Sequence, residues 1–480
     1  MYKNLLKIVC SAMMLTSCVT SDFIDLLPPS SVTVDIIYKT DKDFVDALTA
    51  TYRPIQQQYE DFYIFGDIRG DDSWESVYKN NDQSYSDLFT TSSSDGLMNN
   101  TWQRYYRAIF RANTLLSKIE EVSESDVPKK NRYIAETRFL RALCYFDLVR
   151  IFGAVPALTE PVSVIESYKI PREPVENIYN NIIIPDFLAA ESLPGSYTGS
   201  DIGRPTSGAA KSMLGRVYLT IKDFQKAESK LREVTSMNYN LLPNYNDLFV
   251  WNNKRHSEYI FDIEYEAGVG MGSSYAARFL PNFLEMTLFY GITGAGDEKN
   301  NPTPGLIALF DDHDKRKLVT VGRVGGYYNA AGEWRVIPSL TSQYYTLKFV
   351  APTPSRWDSP VNWKVIRYGD VVLMLAEALN ENGKTAEAIP WLNQIRNRAG
   401  VDEYPATLSQ AEARDAIAKE RRLELSFEGV RWFDLVRTGK AYEACKDVGM
   451  REYMTVFPIP LTQIQLINDP AILSQNPGYN

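Results

Sequence analysis

Between Arg69 and Tyr85 three aromatic rings, Trp74, Tyr78 and Tyr85, alternate with Asp71, Asp72, Asn80 and Asn81. A flat ring lies well against the weakly polar C–H face of a sugar, and amides or carboxylates hold the hydroxyls of its rim through directional hydrogen bonds. Such a mixture of rings and short polar groups is what a carbohydrate site requires. Tyr275, Phe289 and Tyr290 form a second set beside Gly291 to Gly296, where glycine allows close backbone approach. Trp334 is a third candidate. The ligand-binding set expected from these segments is Trp74, Tyr78, Tyr85, Asp72, Asn81, Tyr275 and Tyr290.

Covalent chemistry is expected at one other residue, Cys18. It closes Leu15-Thr16-Ser17-Cys18, after Lys3, Lys7 and the apolar run Ile8 to Leu15, in the manner of a bacterial lipoprotein precursor. The apolar run is too short to span a bilayer and reads as a secretory signal. In such precursors the thiol takes a diacylglyceryl group, cleavage frees the cysteine amine, and that amine is acylated. More than one acyl chain gives stable anchoring, at roughly 0.8 kcal/mol per buried CH₂. The expected organisation is a signal peptide over 1–17, a lipidated tether over 18–30 and one ligand-binding domain over 31–480. Asp22, close behind the lipid, argues against retention in the inner membrane.

Other chemistries find little support. His256 and His313 are the only histidines, which leaves little room for a histidine zinc site or histidine acid–base catalysis. No metal, cofactor or catalytic residue is expected. Gly268-Val269-Gly270-Met271-Gly272 lacks the Lys-Ser/Thr of a phosphate loop. Asp311-Asp312-His313-Asp314 would attract a cation but follows no standard calcium loop. A net charge of −9 makes a poor nucleic-acid binder. Cys144 and Cys445 lie in apolar helical contexts; buried thiols and a single disulfide both remain open.

The elements that must position these groups are mostly helical. Asp43 to Tyr59 places Phe44, Ala47, Leu48, Thr51 and Ile55 on one face, and Trp102 to Val122 places Trp102, Tyr105, Ile109, Leu116 and Ile119 likewise. Lys130 to Phe152 carries two adjacent stripes, one of them including Arg138 and Arg141, which predicts contact on more than one side, and Gly153 with Pro156 ends it. Ala209 to Val234 and Met374 to Arg398 read as tetratricopeptide-type helix pairs, with small residues where two helices approach. Between them Phe62 to Asn100, Gly268 to Pro304 and Tyr327 to Trp363 are long irregular insertions, the last with a hairpin around Ala331-Gly332. The fold class expected is mainly α, a single domain of helix pairs with loop insertions carrying a few short strands.

Several segments together resemble the SusD/RagB family. They are Arg132 to Arg150 with Phe152-Gly153 and Val155-Pro156, Gly203-Arg204-Pro205-Thr206, Arg367-Tyr368-Gly369-Asp370, Glu420 to Leu425 with Gly429 to Leu435, Pro458-Ile459-Pro460, and Gln475 to Tyr479. The resemblance implies a non-catalytic cell-surface lipoprotein of the outer membrane that captures an oligosaccharide, or in some members a peptide. It also implies a SusC-like TonB-dependent transporter as partner, over which the protein closes as a lid. A surface glycosidase and a scaffold without a small ligand are the rival readings. Arg138, Arg141, Glu424, Arg431 and Asp434 of the matching segments stand among apolar positions, so structural ion pairs are expected of them.

Overall fold

The computed structural model describes residues 38–75, 81–322, 326–328, 333–337 and 344–479. Cys18, Tyr78, Asn80 and the turn at Ala331-Gly332 lie outside the described residues. The principal helices are α1 (Asp41–Tyr59), α2 (Asp82–Asp87), α3 (Gly96–Ile119), α4 (Lys130–Phe152), α5 (Ile184–Ala190), α6 (Ser207–Thr220), α7 (Phe224–Thr235), α8 (Tyr275–Phe279), α9 (Tyr368–Glu381), α10 (Thr385–Ala399), α11 (Gln410–Glu424) and α12 (Arg431–Arg437).

Thr40 starts α1 with a capping box: its hydroxyl accepts from the Asp43 amide while the Asp43 carboxylate accepts from Thr40 N. Phe44, Leu48, Thr51 and Ile55 then face inward against α3, as the periodicity predicts. Helix α4 packs between α3 and α5 and is buried on nearly every side, which accounts for its two stripes. Gly153, at φ +73°, ends it. The two expected helix pairs are α6 with α7 and α9 with α10, and α7 packs on α9, so the pairs form one continuous stack. Gly215 is one of the small residues that allows this, because a Cβ there would run into Leu231.

Eight short strands form four antiparallel pairs among the described residues: β1 (Ser73–Trp74) with β5 (Asn301–Pro302), β2 (Val155–Pro156) with β3 (Arg172–Glu173), β4 (Tyr259–Ile263) with β8 (Trp363–Arg367), and β6 (Gly326–Tyr328) with β7 (Trp334–Val336). The last pair is the expected hairpin. The early loop is also tied to the C-terminal part at a glycine contact. Gly66 lies in a π-helical turn, Ile64–Ile68, directly against the backbone of Gly429, which stands at φ +71°. Gly429 N donates to the neighbouring Asp67 Oδ1 at 2.8 Å.

Most of the expected structural ion pairs are present. Arg141 donates to both oxygens of Asp186, at 2.7 and 3.0 Å, Arg431 binds Asp71, and Asp434 binds Arg421 and Arg437. Glu424 belongs to a larger buried network. Arg367 reaches Glu424 at 2.6 Å, Glu258 at 2.7 Å and Glu428 at 2.7 Å; Arg398 binds Glu258 and Glu424; Arg316 binds Asp314, Glu420 and Glu424; Lys348 binds Glu428. Burial alone would raise the Glu424 carboxyl, but Arg398, Arg367 and Arg316 hold it well below the carboxylate range. Arg138 departs from the expectation: it is half-buried and makes no ion pair among the described residues. Asp312 and Asp314 are used by Lys317 and Arg316, and no cluster that would hold a metal occurs among the described residues. Cys144 and Cys445 are free and buried, which resolves the question of their pairing.

Candidate binding site

Five separate stretches of chain meet at a cleft of about 650 Å³ lined mostly by polar side chains. Glu60 follows the end of α1, Asn81 and Gln83 open α2, Gly272, Ser274 and Arg278 lie at α8, and Asp297, Lys299 and Trp357 complete the wall. Local chemistry explains why each is there. Asn81 caps α2, its Oδ1 accepting from Ser84 N at 2.9 Å. The β1–β5 pairing sets Trp74 opposite Asn301 and so carries the early loop to the Asp297–Lys299 stretch. Ser273 and Ser359 exchange backbone hydrogen bonds of 2.7 and 2.8 Å, which brings α8 beside Trp357. Gly272 is required at that junction, since a Cβ would strike the Asp358 backbone.

Trp357 is 46% exposed, unusual for so large a ring. The guanidinium of Arg356 lies 4.4 Å from its ring centroid and binds Asp297 at 2.6 Å. Across the cleft Arg278 Nη1 donates to Tyr63 Oη at 3.2 Å and lies 3.4 Å from Asp61, and Gln83 Nε2 donates to the same Tyr63 oxygen at 3.0 Å. Lys299 binds Glu75 at 3.0 Å. Burial raises the Glu60 carboxyl, partly offset by the hydrogen bonds it accepts from Ser274. Ring, amides and charged hydrogen-bonding groups therefore converge on one solvent-open volume.

The residues expected from sequence separate into groups. Asn81 lines the cleft. Trp74 and Tyr85 are half-buried on the same early loop, and Trp74 is pinned by its Nε1–H to Pro302 O at 3.2 Å. Two expectations need correction. Asp72 is 2% exposed and bound to Arg422 and Arg431; burial pushes its carboxyl up to about 6 against the pull of those two arginines, and no oxygen faces a ligand space. Tyr275 is fully buried among Tyr265, Phe279, Phe349 and Trp363, with its hydroxyl donated to Tyr59 O at 2.7 Å. It has neither a free face nor a free hydroxyl. Tyr290 stands apart, packed edge-on against Phe289, which in turn meets Tyr327 of β6. Trp357, Arg278, Lys299, Asp297, Gln83 and Glu60 were not singled out by sequence. The one signal for them is Arg356-Trp357-Asp358, a tryptophan between charges inside a long insertion.

Two family descriptions match this chain. Residues 222–479 match the SusD family, and residues 22–219 match a family described as starch-binding and associating with the outer membrane. The first match covers more than half of the chain, which belongs to the SusD family. Among its relatives, a SusD-like protein of Formosa agariphila is 29% identical over 427 residues, 82% of each chain. The starch-binding protein SusD of Bacteroides thetaiotaomicron is 24% identical over 440 residues, 77% of this chain and 76% of its own. A solved structure titled laminarin binding SusD-like protein is 30% identical, with a TM-score of 0.78 over 92% of this chain and 100% of its own. A surface glycan-binding protein A of Bacteroides thetaiotaomicron, in complex with laminarihexaose, shares the fold at 20% identity and a TM-score of 0.77, over 91% of this chain and 99% of its own. The mainly helical architecture expected from sequence is thus that of the family. No helix among the described residues is long and apolar enough to cross a membrane.

Proposed function

We propose that the protein is a non-catalytic glycan-binding lipoprotein of the outer membrane and that the cleft at Trp357 is its ligand site. The observation that carries this reading is the exposed Trp357 ring set among Asn81, Gln83, Arg278 and Lys299 in one open volume. A ring against the sugar face and donors at its rim are the two interactions an oligosaccharide offers. Trp74 and Tyr85 of the early loop, with Tyr78 from outside the described residues, are proposed to extend the site. The laminarin-binding title of a 30% identical relative and the starch-binding description of the matching family support the same ligand class.

The signal over 1–17, the lipid on Cys18 and the tether over 18–30 supply the anchor in this proposal, and a SusC-like TonB-dependent transporter receives the ligand. Calorimetry of the full chain against a panel of oligosaccharides tests the reading. A glycan bound without release of product, with Trp357→Ala weakening binding tenfold or more at unchanged melting temperature, supports it. Product formation identifies a hydrolase instead, and binding of peptides alone identifies a peptide receptor. Cys18→Ala is expected to leave binding in solution intact while abolishing membrane retention, read by fractionation of cells.

A further inference from the structure

The indole of Trp357 is carried on a turn and steadied from behind. Ser355 O accepts from Asp358 N at 3.1 Å, so Arg356 and Trp357 are the two corner residues of a β-turn. The turn is fastened on its far side, where the Asp358 carboxylate accepts from Gly268 N at 2.8 Å and Ser359 pairs with Ser273. Those bonds fix the backbone and do not reach the ring, whose rotamer they leave open. Arg356 does reach it. Its guanidinium lies over the indole, 4.4 Å from the ring centroid, and binds Asp297 at 2.6 Å. Its stem packs on Gly294, where an added Cβ would come within 3.2 Å of Arg356 Cδ. Trp357 and Asp297 line the cleft and Arg356 does not, so the guanidinium sits behind the ring.

We propose that Arg356 is a positioning residue of the site: it occupies the rear face of Trp357 and fixes the ring so that its front face meets one sugar ring, an inference that rests on the glycan-binding reading of the same cleft. A planar guanidinium suits the task, because it stacks on an indole and still donates sideways to a carboxylate. With the rear face taken, the tryptophan receives a sugar from one side only. Its orientation is set before the ligand arrives, which spares the complex the entropy of ordering a large exposed side chain. The ion pair with Asp297 is more than one-third exposed on both sides and contributes little to the stability of the fold. Loss of Arg356 is therefore felt in ligand affinity and not in the melting temperature.

Titration calorimetry of the full chain with laminarihexaose, maltohexaose, xylohexaose and mannohexaose tests the assignment. For an oligosaccharide that binds, Arg356→Ala is expected to weaken affinity about three- to tenfold at unchanged melting temperature, and less than twofold when Trp357→Ala is already present. An arginine that touched the sugar itself would show its full loss in that background too, which overturns the positioning role and leaves glycan binding standing. The ring is also followed without ligand. In the chain labelled with fluorotryptophan, the fluorine resonance missing from Trp357→Phe is expected to shift and narrow in Arg356→Ala as the ring gains freedom. An unmoved resonance or an unchanged affinity likewise overturns the positioning role alone, and the resonance decides where Trp357→Ala leaves too little binding to measure. Binding undiminished by Trp357→Ala, or no binding of any of the four oligosaccharides, overturns both readings of the cleft together.

Discussion

Around Arg367 and around the cleft the chain balances charge in the same way and puts it to opposite use. In the first region Arg316, Lys348, Arg367, Arg396 and Arg398 meet Asp314, Glu258, Glu420, Glu424 and Glu428, and most of these side chains are 3% exposed or less. In the second, the pair between Arg356 and Asp297 is more than one-third exposed on both sides. Desolvation decides the difference. Buried pairs regain little more than they lose on leaving water, yet each fixes the chain in one geometry, because any other arrangement strands a charge. Exposed pairs hold weakly and leave N–H groups and lone pairs available to a ligand. The buried network joins β8 and α9 to α10 and α11, and the open pairs face the solvent that a ligand would replace.

The contrast is sharpest at Arg367. Arg367→Met leaves Glu258, Glu424 and Glu428 each short of a donor and is expected to cost about 3–5 kcal/mol, read from the shift in urea midpoint; an unchanged midpoint would show that the network does not hold the fold. Asp67 comes next. Burial pushes its carboxyl up to about 8, so from its ordinary range up to that pH the folded chain keeps a proton that the unfolded chain has lost. Stability therefore falls as pH rises from 6 to 8, by about 2 kcal/mol from this group, and most of the decline should disappear in Asp67→Asn, the remainder coming from groups such as Asp72. Lys348, pushed down to about 8 by burial, acts in the opposite direction only above that pH. A parallel decline in the variant would assign the effect to another group.

Smaller effects test the border between the regions. Tyr275→Phe removes one hydrogen bond to Tyr59 O and should cost about 1 kcal/mol, with glycan affinity unchanged within twofold. A loss of binding at full stability would return Tyr275 to the site. Lys42→Ala breaks a pair with Asp46 on the open face of α1, and its melting temperature is expected to match that of the parent.

What was legible in sequence was whatever repeats along the chain. The span of α4 and its stop at Gly153 follow from periodicity and one glycine, and the two helix pairs follow from the spacing of small residues. The pairing of Arg141, Glu424, Arg431 and Asp434 follows from charge at apolar positions, whatever the partner. The cleft has no such signature. Asn81, Arg278, Lys299 and Trp357 converge only because β1 meets β5 and Ser273 meets Ser359, contacts that leave no period. Tyr275 misleads for the same reason. It adjoins a glycine-rich loop in sequence, but α8 turns it inward onto Trp363. Asp72 resembles a sugar ligand until Arg422, 350 positions away, arrives beside it.

The glycine contact between Gly66 and Gly429 also sets an order of events in time. Asp67 and the amide that binds it are 362 positions apart, and closing so long a loop must precede the contact that rewards it. The π-helical turn at Ile64–Ile68 has nearby support from α2, where Ser86 Oγ donates to Ile64 O, but its bond to Gly429 forms only once distant parts of the chain have come together. Helix pairs α6/α7 and α9/α10 are local and close early. The contact of the early loop with Gly429 is therefore expected to close after them.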